Sequence, residues 1–135
     1  MSEGIPESPK ELKNALASNV PDIKSSLEIE FNRALTKSVE ETITLLLGKS
    51  VAGALSYHLY AYLGLAEDDI PSHLKELFTT LNNSFGVSGN VVGRAIVRRL
   101  YAKLRLDFVE RPNVTLVQHV ENAKMSFMKT EIKGS

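Results

Sequence analysis

Apolar residues recur along most of this chain at intervals of three and four. From Ile23 to Leu47 the run Leu27, Phe31, Leu35, Val39, Ile43 and Leu46 holds that spacing, the period that gathers side chains on one face of an α-helix. Four more stripes lie beyond it. They are Val51, Ala54, Leu55, Leu59, Tyr62 and Leu63; then Leu74, Leu77, Phe78 and Leu81; then Val92, Ile96, Leu100 and Leu104; and last Leu116, Val120, Ala123 and Phe127. One stretch is ambiguous, because Leu27-Glu28-Ile29-Glu30-Phe31 also alternates as a short strand would.

Capping chemistry divides these stripes into elements. Ser8-Pro9-Lys10-Glu11 reads as a capping box with proline at the first helical position, opening a thinly apolar helix that stops before Pro21. Ser38-Val39-Glu40-Glu41 has the same form and predicts a helix restart inside the long run. Gly48 supplies a left-handed residue to end that run, Ser50 caps the next helix and Gly64 closes it. Glu67-Asp68-Asp69 reads as a loop and Ile70-Pro71-Ser72 as a helix start. Asn82 to Asn90 reads as a tight turn, after which a helix runs to Arg105. Arg111-Pro112-Asn113 breaks the chain, and Thr115-Leu116-Val117-Gln118 is a third capping box. The prediction is an all-α chain, a single compact bundle of about six helices with a core at 23–128. A peripheral N-terminal helix occupies 1–22, and a flexible polar tail 129–135.

Composition narrows the function classes. At 135 residues and 43% hydrophobic content the chain suits one domain. It has no cysteine, which excludes disulfides, thiolate metal sites and a cysteine nucleophile and fits a cytoplasmic location. No apolar run is long enough to span a bilayer, and Met1 to Glu7 lacks the pattern of a signal peptide, so no membrane association is expected. Net charge is zero but unevenly spread. Residues 1–93 carry 7 basic and 12 acidic side chains, net −5, and residues 94–135 carry 9 and 4, net +5. Such halves can attract each other or present a basic end to a polyanion.

The usual signatures of catalysis do not assemble. His58, His73 and His119 are never three or four residues apart, and no carboxylate pair accompanies them. Gly86-Val87-Ser88-Gly89-Asn90-Val91-Val92-Gly93 places three glycines at a helix start, but no strand precedes it and no Gly-Lys-Ser/Thr comes after it. Turn chemistry explains these glycines better than a phosphate cradle does. Glu67-Asp68-Asp69 lacks the spacing of a calcium loop. The expectation is a protein without enzymatic activity, cofactor or metal.

Two resemblances point toward binding instead. Residues 73–105 resemble a helix-turn-helix DNA-binding element, with Phe85-Gly86-Val87-Ser88 as the turn and Val92 packing back on the first helix. At about 100° per residue, Arg94, Arg98 and Arg105 fall within about 40° of one another with Tyr101 beside them, a row suited to phosphate. Against it stand Asn82 where a small residue is usual, Ala95 where a larger aliphatic is common, and small uncharged residues from Ser88 through Asn90 to Val91, where reading helices contact bases. The second resemblance covers residues 38–127. It rests on Leu47-Gly48-Lys49-Ser50, Tyr57-His58-Leu59, Gly64-Leu65, Leu77-Phe78, Phe85-Gly86 and Leu100-Tyr101, an order similar to that of the Nitrosopumilus-type output domains, a small archaeal helical family. It implies a helical module, sometimes joined to signal-receiver domains, with no site residues to transfer. The sequence thus predicts a regulatory interaction module that binds a protein partner or its own copy through Tyr57, Tyr60 and the arginine row. The alternative is DNA binding through 73–105, with Ser88, Asn90, Arg94, Arg98, Tyr101 and Arg105 as contacts.

Overall fold

The long apolar stripe of the N-terminal half forms one helix. In the computed structural model, which describes residues 23–64 and 67–134, α1 spans Ile23–Leu63 and holds Leu27, Phe31, Leu35, Val39 and Ile43 in the core. Residues 27–31 are helical rather than extended. A strand would put Leu27, Ile29 and Phe31 on one face, whereas here Leu27 and Phe31 are buried and Ile29 is 59% exposed. The helix does not restart at Ser38 either. That residue is fully buried, and its hydroxyl donates to the Ala34 carbonyl at 2.8 Å, a bond within the helix that leaves no cap to form.

Gly48 breaks α1 without a loop. Its φ of 91° and ψ of 163° are non-helical, yet helix lies on both sides, so α1 has a front arm (residues 23–47) and a rear arm (49–63) meeting at one residue. Only glycine takes that backbone conformation cheaply. The rear arm buries Leu55 and Leu59, leaves Ala54 exposed, and ends at Gly64, whose φ is 68°. Between the arms lies a largely apolar cleft of about 460 Å³, walled by Val39, Ile43, Leu55, Leu59 and Ile70.

A 3-10 turn, Glu67–Ser72, tucks Ile70 against α1 and leads into α2 (Leu74–Phe85). The turn expected over nine residues contracts to one. Gly86, with φ 61° and ψ −131°, separates α2 from α3 (Val87–Lys103), and its amide donates to the Asn82 carbonyl at 2.7 Å. Gly89 allows so short a reversal, and Gly93 makes room for the C-terminal helix. A Cβ on Gly89 would collide with the Leu81 carbonyl, and one on Gly93 would lie 2.7 Å from the Leu116 Cδ1.

Helix α3 is the axis of the fold, packing on α1, α2 and the C-terminal helix and burying Val92, Ile96, Val97, Leu100 and Tyr101. It ends in a Schellman turn: the Arg105 amide donates to Ala102 O at 3.1 Å and the Leu106 amide to Tyr101 O at 2.9 Å. Arg105 takes the left-handed position, φ 59°, that glycine usually fills. Leu106 and Phe108 pack against the core from the next segment. The third capping box then opens α4 (Leu116–Gly134). Thr115 Oγ1 accepts from the Gln118 amide at 3.1 Å, and the Gln118 side chain accepts from the Thr115 amide at 2.9 Å. Helix continues through residues 129–134, the stretch expected to be a tail. The described residues therefore hold four helices, one 3-10 turn and no strand. The helix expected at 9–19 lies outside them.

Candidate interaction surface on the first and third helices

Because three helices surround α3, only a narrow stripe of it reaches the surface. Val87, Ser88, Asn90, Val91, Arg94, Arg98 and Ala102 are exposed along it, with Ala95 and Arg99 at its margin. The front arm of α1 runs alongside and ends in Leu45 and Leu46, which are 69% and 49% exposed. Between them lies an open groove of about 580 Å³. Its apolar walls are Leu45, Leu46, Val91, Ala95 and Ala102, and Arg94, Arg98 and Arg99 stand along its rim. Thr42 also lines it, 2% exposed, with an Oγ1 that finds no hydrogen-bond partner. Val87, at the start of the same α3 stripe, is 85% exposed.

The arginines are partly compensated. Arg94 Nε lies 2.9 Å from Glu110 Oε2, and Arg98 reaches the other oxygen of that carboxylate at 3.7 Å. Glu41 of α1 takes Lys103 at 2.9 Å and Arg99 at 3.4 Å. The hydrogen bond from Lys103 is the largest influence on Glu41, and with the nearby positive charges it holds the carboxyl below its usual value. Lys124 and Glu28 join α4 to α1 at 2.9 Å. The acidic front and basic back of the sequence thus do meet within the molecule. Glu41 and Glu110 are thus each shared between two basic side chains among these contacts.

Two members of the predicted contact row leave it. Arg105 is exposed but sits beyond the helix, in the left-handed turn, so the helical angle that aligned it with Arg94 no longer applies. Tyr101 is 7% exposed. Its hydroxyl donates to the His119 carbonyl at 2.7 Å, its ring meets Phe108 edge-on at 4.9 Å, and burial raises its pKa. The helical angle puts Tyr101 beside Arg94, but it cannot foresee Phe108 and α4 covering that end of the face. His119 is buried as well, stacked edge-on with Phe108 at 5.0 Å, and its Nε2 finds no hydrogen-bond partner. Ser88 and Asn90 are exposed in the first turn of α3. Tyr57 and Tyr60 are both exposed on the rear arm, on the other side of the Gly48 break from Leu45 and Leu46.

Sequence periodicity misses the apolar half of this surface. It places Leu46 in the buried stripe and gives Leu45, Val87 and Val91 no role. The available signal is crowding: Leu45-Leu46-Leu47 and Val91-Val92 place neighbours about 100° apart, more than one buried face can take.

Among the described residues no group of three or more His, Asp or Glu is placed to hold a metal ion, and no helix is long and apolar enough to cross a membrane. Comparison with protein-family models, curated proteins and solved structures finds no match for the chain.

Proposed function

We propose that this chain is a non-enzymatic, cytoplasmic helical regulatory module, similar in role to a signal-output domain, that acts by binding a protein partner or a second copy of itself. One observation carries the reading: Leu45, Leu46 and Val91 are exposed together beside Arg94, Arg98 and Arg99. Single exposed apolar residues are common, but a grouped set next to arginines is the composition that anchors interfaces. Sedimentation over a wide concentration range tests the self-association arm, with Leu45→Ser/Val91→Ser as the control. Mass that rises with concentration in the parent and not in the variant supports it. A parent that stays monomeric removes self-association and leaves a heterologous partner.

A second reading, DNA binding through 73–105, draws on the exposure of Ser88, Asn90, Arg94 and Arg98 along one stripe of α3. It requires affinity for mixed-sequence duplex that falls steeply with salt, and a shallower slope in Arg94→Ala/Arg98→Ala. Absence of binding at low salt rejects it.

A further inference from the structure

Resting on the interaction-module reading, we infer that the groove between α1 and α3 receives an acidic amphipathic helix of about three turns from another protein. Two observations converge on that occupant. The first is shape. The groove runs along α3 from Val91 to Ala102, a rise of about 16 Å at 1.5 Å per residue, which matches some eleven residues of a helix lying alongside. Ala95 and Ala102 keep its wall low, and small side chains there allow a neighbouring helix to approach closely. The pairing of apolar walls with a linear course is the helix-in-groove mode of recognition, read by residues at i, i+3 or i+4, and i+7.

The second is charge. Arg94, Arg98 and Arg99 line the rim, and Glu110 and Glu41 offset them only partly. Carboxylates flanking the apolar stripe of the incoming helix would complete the compensation, and would be steered toward the site before contact. A second copy of this chain fits poorly. A two-fold contact through the groove would set one arginine rim against the other. A nucleic acid fits poorly too, because phosphates gain nothing from Leu45, Leu46 and Val91 on the walls.

The test uses the full chain and three designed fifteen-residue peptides of matched helicity. One carries leucines at i, i+4, i+7 and i+11 with glutamates on both flanks. One has lysines in place of those glutamates. One keeps the glutamates and replaces the leucines by glutamine. Amide NMR titration should show the first binding at least tenfold more tightly than either of the others, with shifts confined to residues 42–46 and 91–102. Leu45→Ser/Leu46→Ser, which alters exposed side chains only, should weaken that binding about tenfold with the spectrum of the free chain otherwise kept. Arg94→Glu/Arg98→Glu should shift preference toward the lysine peptide. Equal binding of the glutamate and lysine peptides at this groove would overturn the acidic occupant and leave the interaction-module reading standing. Binding of duplex DNA or anionic vesicles through the same residues, with no peptide bound, would overturn both. A chain that binds no peptide and stays monomeric at every concentration would overturn the acidic occupant and leave a partner of other chemistry to the interaction-module reading.

Discussion

Two single-glycine joints organise this chain, and they behave in opposite ways. At Gly86 the chain reverses between α2 and α3 so closely that Gly89 has no room for a Cβ against the Leu81 backbone. A Cβ built on either joint glycine itself would meet nothing within 4 Å, but at Gly48 no crowded neighbour like Gly89 is found and a cleft opens between the two arms of α1. Both glycines have positive φ, so the backbone need is shared. The difference lies in the helix on the far side of each joint. Beyond Gly86 comes a helix packed on three others, whereas beyond Gly48 comes an arm in which, among the residues described, only Leu55 and Leu59 are buried hydrophobics. A positive-φ glycine therefore marks where a helix turns, and packing on either side decides how firmly it is held.

The sharpest way to break this contrast is to add one methyl group on each side. Gly89→Ala forces backbone apart and should cost about 3 kcal/mol in urea unfolding. Gly53→Ala, helical and open on the rear arm, should instead stabilise by about 0.5–1 kcal/mol, the ordinary helix-propensity gain. Effects of the same sign would remove the distinction. Hydrogen exchange examines it without mutation: rear-arm amides from residue 53 to 61 should exchange about a hundredfold faster than those of residues 92–100, as expected of lightly packed segments. Equal protection would mean that the rear arm unfolds only with the core.

Arg105 gives a smaller test, since it holds a left-handed φ without being glycine. Arg105→Gly should raise stability by about 1 kcal/mol at unchanged fold, because the substitution removes only the cost of a Cβ in that conformation. The smallest effect should come from Glu41. Its folded pKa is depressed below 4.5, chiefly by the hydrogen bond from Lys103. The stabilisation it gives is therefore complete above 4.5 and lost as pH falls through the folded value. The pair is exposed, so the change is small. Glu41→Gln should remove that component from an acid titration of stability and leave the neutral value nearly unaltered.

These contrasts also explain what could be read from sequence. Period alone located the front arm, α2, α3 and α4, because Leu35, Leu77, Leu81, Ile96 and Leu100 each bury on the face that the spacing selects. The Thr115 and Gln118 box formed because its two partners are local and both side chains reach. Ser38 looked the same in sequence, but a partner one turn back, Ala34, satisfied its hydroxyl first. The candidate surface was half legible. Arg94 and Arg98 were accessible to helical angle, since both stay exposed as the helix alone would leave them. Tyr101 was not, because Phe108 and α4, distant in sequence, close over it. The same limitation hid Leu45, Leu46 and Val91, whose exposure depends on where neighbouring helices stop.

The order in which the helices meet carries a consequence for synthesis. The buried stripe of α1, from Leu27 to Ile43, is covered by α3 and α4, which come later in the chain. At ~5–20 residues per second, the ribosome takes about 3–12 s to pass from Ile43 to the end of α3 at Lys103. For that interval the nascent chain presents an uncovered row of Leu27, Phe31, Leu35, Val39 and Ile43, the kind of surface that holding chaperones recognise. Expression yield should accordingly depend on chaperone supply more than the stability of the finished fold would suggest.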